Sequence, residues 1–205
     1  MNRRSALKNL TMSLGYAVAT PTIFNMLASC NAETETWTPL FLSPEEKHMV
    51  THLADIILPA SDTLGALDVN IPQFLDLMYN DIEKKENQEL FRKGAVIFVK
   101  NLNTSVLDTK KEDFEKSLSS YFNISEEDTE SILKEQRLPV AKIEKDRMDD
   151  YSLYKFLLSI KYYTLFGYFT SEKVGKDVLV YDPIPGSYQG CISLDEATGG
   201  RAWAL

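Results

Sequence analysis

The chain is 205 residues long, with 44% hydrophobic, 25% charged and 11% aromatic residues, the composition of an ordinary globular domain rather than of a fibrous or disordered chain. Two cysteines exclude a disulfide-rich scaffold, a four-cysteine zinc site, a Cys-ligated iron–sulfur cluster and covalent c-type haem, and two histidines leave little from which to build a His-ligated metal centre. A net charge of −8 excludes a phosphate-backbone binder, which needs clustered Lys and Arg, so nucleic acid is not an expected partner.

The charge is unevenly placed. Residues 1–29 carry Arg3, Arg4 and Lys8 and no acid, so the remaining 176 residues carry −11. The run Arg3-Arg4-Ser5-Ala6-Leu7-Lys8 precedes 18 moderately apolar residues, Leu10 to Leu27, the layout of a secretory signal. Gly15, Pro21 and Asn25 raise the cost of leaving this helix in lipid, which argues against a transmembrane span. The twin arginine resembles a twin-arginine export signal, an address read by a receptor. Leu27-Ala28-Ser29-Cys30 resembles a bacterial lipobox, which predicts cleavage before Cys30 and a diacylglycerol on its sulfur. Each buried CH2 of such chains contributes about 0.8 kcal/mol to membrane attachment. Residues 1–29 are thus expected to be a signal peptide, 30–42 a tether, and 43–205 a domain held at the periplasmic side of a membrane. With Cys30 acylated, Cys191 is left unpaired and is expected to be a small buried hydrophobe under a loop.

Ser43-Pro44-Glu45-Glu46 predicts a helix start with a capping box and Pro at the first helical position. Val50, Leu53, Ala54, Ile57 and Leu58 recur at helical spacing, and Pro59 ends the run. His48, His52 and Asp55 fall on one face of this helix; without further ligands they are expected to be a solvated face and not a metal site. Residues 60–70 read as a connection, after which Asn70 is expected to cap a helix with Ile71, Phe74, Leu75, Met78, Tyr79 and Ile82 inside. A third helix is predicted over 88–102, with Leu90, Phe91, Phe98, Val99 and Leu102 as its core face. A fourth is predicted over 113–122, with Phe114, Leu118, Tyr121 and Phe122. Ser125 caps a fifth, with Ile132 and Leu133 inward. Residues 151–169 hold eight of the 22 aromatics and are apolar around most of the helical circumference, which predicts a central strut buried on nearly all sides. No segment alternates like a strand. The expected fold is all-α, a compact bundle of about six helices with an irregular C-terminal arm.

That arm, Leu179 to Cys191, packs prolines, glycines and tyrosines into an irregular stretch whose backbone groups cannot all pair internally. Tyr181, Asp182, Pro183, Pro185, Gly186 and Tyr188 are therefore candidate partner contacts, rigid aromatics being effective interface anchors. The arm also fits as a segment packed on its own domain, and the two readings are compatible.

These features together resemble the gluconate 2-dehydrogenase subunit 3 family, small subunits of membrane-associated, flavin-dependent sugar and polyol dehydrogenases. The resemblance rests on the twin-arginine leader, Leu42-Ser43-Pro44-Glu45-Glu46, Ala54-Asp55-Ile56-Ile57-Leu58-Pro59, Asp62-Thr63-Leu64-Gly65-Ala66 and the ending Tyr181 to Cys191. Leu64 stands where members often have Pro, and the lipobox is not a general family feature. The resemblance implies a non-catalytic accessory subunit that escorts and stabilises a large subunit. FAD, and often haem c on a cytochrome c subunit, would reside on those partners. The residues agree: there is no G-x-G-x-x-G, no haem motif and no set of acid, base and nucleophile. No catalytic, cofactor-binding or metal residue is assigned to this chain. The competing expectation is a free-standing periplasmic lipoprotein binding a small ligand or metal, through His48, His52 and Asp55 or a pocket against the aromatic helix.

Overall fold

The computed structural model describes residues 37–205, apart from 103, 183, 185, 188, 189 and 205. Six helices of seven or more residues lie among the described residues: α1 (Pro44–Ile57), α2 (Ile71–Leu77), α3 (Lys85–Lys100), α4 (Lys111–Phe122), α5 (Glu126–Gln136) and α6 (Met148–Thr170). A short α7 (Leu194–Thr198) follows, so the expected all-α bundle is what forms. The capping box starts α1: Ser43 Oγ accepts the Glu46 amide at 3.1 Å, and the Glu46 carboxylate accepts the Ser43 amide at 2.8 Å. Ser125 caps α5 through the Asp128 amide at 3.0 Å. Asn70 differs from expectation. It sits in the left-handed region (φ 54°) and its side chain caps nothing, its carbonyl accepting the Phe74 amide instead. The third helix begins at Lys85 because Gln88 is not a start but a plug. Its amide nitrogen donates to the Tyr79 and Glu83 carbonyls, left open where α2 ends in a π turn (Met78–Ile82).

The central helix is α6, packed against α1, α2, α3 and α5, most extensively against α3. Gly94 explains the α3 contact. A Cβ there would collide with the Ser152 carbonyl oxygen and lie 2.5 Å from Phe156 Cβ, so only glycine permits this approach. Gly167 does the same for α2, since a Cβ would stand 2.6 Å from the Phe74 ring and 2.9 Å from Ile71. Around the Gly94 crossing runs a file of rings: Phe41 on Tyr79 (5.2 Å between centroids), Tyr79 on Phe91 (4.4 Å), Phe91 on Phe156 (4.9 Å), Phe156 near Phe98 (6.0 Å) and Phe98 near Phe114 (6.4 Å). Each buried ring of this kind contributes about 1.5–3 kcal/mol. Surface ion pairs such as Lys134–Glu130 contribute roughly 0–1 kcal/mol, so the aromatic file dominates.

Several outward residues depart from the sequence reading. Ile82, Phe122 and Leu133 are exposed, and Ile132, Leu118 and Tyr121 are only half-buried, so α4 sinks Phe114 alone. The strut α6 is buried along one broad side, while Tyr162, Phe166 and Phe169 stay exposed. Hydrophobicity around the whole helix did not guarantee a neighbour on every side.

Phe41 and Leu42 belong to the core. They are held by Asp76 of α2, a carboxylate only 1% exposed, which accepts the amides of Leu40 (2.8 Å), Phe41 (2.9 Å) and Leu42 (2.8 Å). Arg92 of α3 completes the clamp. It donates to the Phe41 carbonyl at 2.7 Å and to Glu46 at 2.9 Å, with its guanidinium 4.3 Å above the Phe41 ring. Removing the carboxylate strands three donors, and an unsatisfied buried group costs about 1–3 kcal/mol. Asp76→Ala is expected to lose about 3 kcal/mol or more of unfolding free energy in urea, with Asp76→Asn intermediate because one oxygen survives. A change for Asp76→Ala below about 0.5 kcal/mol would show that the clamp does not hold the segment.

Candidate functional site

The stretch that follows α1 and the one that leads from α6 into the C-terminal arm meet in space. Between them Ala54, Ala66, Ile71, Tyr168, Val174 and Leu179 form a buried cluster, with Leu58, Leu64, Val178 and Ala204 packed against it. The first stretch is drawn tight at Gly65, where a Cβ would stand 2.8 Å from the Ala60 Cα and the Pro59 carbonyl carbon. The Ala66 amide donates to the Leu58 carbonyl at 2.8 Å, and the Gly65 amide to Asp68 at 2.7 Å. Tyr168 of α6 reaches across, its hydroxyl donating to the Leu64 carbonyl at 2.8 Å.

The C-terminal arm leaves from this cluster. After α6 a π turn (Val174–Val178) brings Leu179 inward. The chain end then returns. Gly199 and Gly200, at φ 64° and 82°, reverse it after α7, and Val180 pairs with residues 202–204: its amide donates to the Ala202 carbonyl (2.9 Å) and its carbonyl accepts the Ala204 amide (2.8 Å). The sequence reading passed over α7, although Ser193, whose hydroxyl accepts the Glu196 amide at 3.2 Å, and Gly199 beyond the end are its start and stop signals.

Beyond that root, the candidate contacts Tyr181, Asp182 and Gly186 are exposed, as are Ile184 (82%) and Trp203. Asp182 folds its own turn by accepting the Ile184 amide at 3.1 Å. Pro183, Pro185 and Tyr188 lie outside the described residues, as do Arg3, Arg4 and Cys30. Cys191 contradicts expectation. It is an exposed free thiol at φ 58°, because the arm carries it past the apolar layer instead of under it.

His48, His52 and Asp55 are brought together on α1, but on a face less solvated than expected: all three are half-buried, with α4 against them. His52 stacks on Phe114 (5.4 Å, 22° between planes) and lies 4.6 Å from the His48 ring, His48 Nε2 is 3.2 Å from the Thr109 carbonyl, and Lys111 pairs with Asp55 at 2.5 Å. Imidazole is flat and half apolar, so it packs where a helical-wheel reading treats it as polar. Among the described residues no group of three or more His, Cys, Asp or Glu is placed to hold a metal ion. Among them, too, no helix is long and apolar enough to cross a membrane.

Two clefts open on the surface. One, about 520 Å³, lies between the end of α3 and α4 and is lined by polar residues including Asn101, Thr104 and Ser117; the other, about 240 Å³, lies against α6 beside Tyr79, Glu83 and Tyr163. In the second, Tyr163 donates to Glu83 at 2.5 Å and Tyr79 to Ser159 at 2.8 Å. Burial above all holds both phenols protonated well past their usual range, with the Glu83 charge adding to it. Both hydroxyls therefore act as donors, fixed by the wall, and neither is poised as a base.

Comparison with known proteins gives one finding. The family described as Gluconate 2-dehydrogenase subunit 3 matches residues 44–186, which takes in α1 to α6 and the start of the arm. No curated protein and no solved structure matches the chain.

The histidine pair has a pH signature. Burial, then the neighbouring His48 charge, lowers His52 below its ordinary value of 6.5; Lys111 acts the same way, while Asp55 and Glu112 oppose. A lowered folded-state value means the unfolded chain binds the proton first. Its contribution to stability is thus present above about pH 6.5 and lost as pH falls through the folded value. Thermal midpoints recorded from pH 7.5 down to 5 are expected to fall in the parent, and to fall less steeply in His52→Gln. Equal slopes would remove His52 from the account.

Proposed function

The chain belongs to the gluconate 2-dehydrogenase subunit 3 family, and from that premise we propose that it is a non-catalytic small subunit of a membrane-associated, FAD-dependent dehydrogenase. It is an accessory subunit of a dehydrogenase complex. The finer reading is that it binds a flavoprotein subunit, brings it through the twin-arginine route and anchors it on the periplasmic side through Cys30. FAD, and haem c where a cytochrome subunit is present, reside on those partners.

The observation that carries this reading is the family match across 44–186, which takes in every residue of the buried cluster from Ala54 to Leu179. Other features support it. The twin-arginine route carries folded proteins, and a leader of that kind on a domain whose middle is filled by packed rings suits a carrier of someone else's cofactor. The arm rooted at Val180 presents Tyr181, Asp182 and Ile184 outward, the place where Tyr181, Asp182, Pro183, Pro185, Gly186 and Tyr188 would meet the larger subunit.

The leader supplies the test. Co-expressed with a flavoprotein that lacks a signal of its own, the parent chain is expected to carry it to the periplasm. Arg3→Lys with Arg4→Lys is expected to leave both in the cytoplasm, and Cys30→Ala to export both while releasing them from the membrane fraction. A flavoprotein exported normally beside the double lysine variant would overturn the escort reading.

A further inference from the structure

α6 is apolar around its circumference, and its neighbours α1, α2, α3 and α5 leave one strip of it open. Tyr162, Phe166 and Phe169 occupy that strip at i, i+4 and i+7, 60%, 41% and 41% exposed. Tyr162 and Phe166 stack in parallel, 5.8 Å apart and 4° between planes, and Phe166 leans on Phe74 of α2 at 6.1 Å. The strip therefore has a fixed shape before anything binds, which lowers the entropy lost on docking. Tyrosine and phenylalanine held this way are the side chains that dominate interfaces.

At its N-terminal end the strip runs into the 240 Å³ notch, whose wall holds the Glu83 carboxylate among tyrosine rings and Leu158. Glu83 takes one hydrogen bond from Tyr163 and one from Asn87 Nδ2, both at 2.5 Å, and has room for more. Gln136 must turn its amide nitrogen to the Tyr151 carbonyl (3.0 Å), so its Oε1 is fixed the other way, buried without a donor. Lys155 lines the notch as well. A notch of this kind suits a hydrogen-bond donor set among apolar groups. Lipid acyl chains would strip water from the Glu83 carboxylate and replace it with nothing, and a second copy of a domain carrying −9 would bring like charges together.

We propose that this open face of α6 is where the flavin-bearing subunit docks, through an apolar segment that lies along Tyr162, Phe166 and Phe169 and places an arginine, lysine or amide side chain in the notch beside Glu83. The proposal rests on the accessory-subunit reading and gives it a surface separate from the C-terminal arm.

The experiment uses the full chain, tagged and co-expressed with the flavoprotein, and reads flavin recovered per mole of chain. Tyr162→Asp with Phe166→Asp alters only exposed side chains, so the variant is expected to keep the parent's circular dichroism and to lose flavin recovery by about tenfold or more. In a chain otherwise unchanged, a benzoyl-phenylalanine photocrosslinker at 166 is expected to join the flavoprotein, which holds the test open should the double variant misfold. A folded double variant that recovers as much flavin as the parent overturns the docking face while leaving the subunit reading intact. Crosslinking at 166 to lipid or to a second copy overturns it in favour of those occupants. A parent chain that recovers no flavin sinks the accessory-subunit reading and the docking face with it.

Discussion

The close crossing of α3 and α6 at Gly94 and Ser152 is the constraint on which the rest of the fold depends. With no side chain between the two backbones, Phe91 and Phe98, one turn to either side of the glycine, both reach Phe156. That contact lets a file of rings extend in one direction to Tyr79 and Phe41, and in the other to Phe114 and the histidines of α1. Every helix that packs on α6 does so relative to this pair. A larger residue at 94 would separate the backbones, break the file in its middle and leave the outer helices without a common reference.

The strut that organises the interior also shapes the exterior. Because α6 is covered by four helices on its other sides, its remaining strip faces outward, with Tyr162 and Phe166 stacked along it. The arm's root is fixed at Leu179 and Val180, and beyond it the described residues Tyr181, Asp182 and Ile184 face outward.

Much of the architecture was legible because it is written in local chemistry. Ser43 with Glu46, and Ser125 with Asp128, mark helix starts that any backbone would honour. The errors fall where a side chain's role depends on what lies across from it. Ile82, Phe122 and Leu133 satisfy a helical period and still face water, since periodicity defines a face but not its neighbour. His48 and His52 look polar on a wheel, yet their rings lie against α4. Of the candidate site, the arm was visible as a cluster of Pro, Gly and Tyr. The strip on α6 was not, because a helix apolar on all sides reads the same whether its last side is covered by its own domain or left for another.

The Asp76 clamp determines how mechanical load would enter the molecule. A pull on the chain ahead of Leu40 meets three amides bound to one carboxylate on α2 and a carbonyl held by Arg92 on α3. These bonds share the force in parallel instead of yielding one after another, as the turns of a helix would if α1 were peeled from its end. Tension on the N-terminal side would thereby pass sideways into α2 and α3, two of the helices packed on α6.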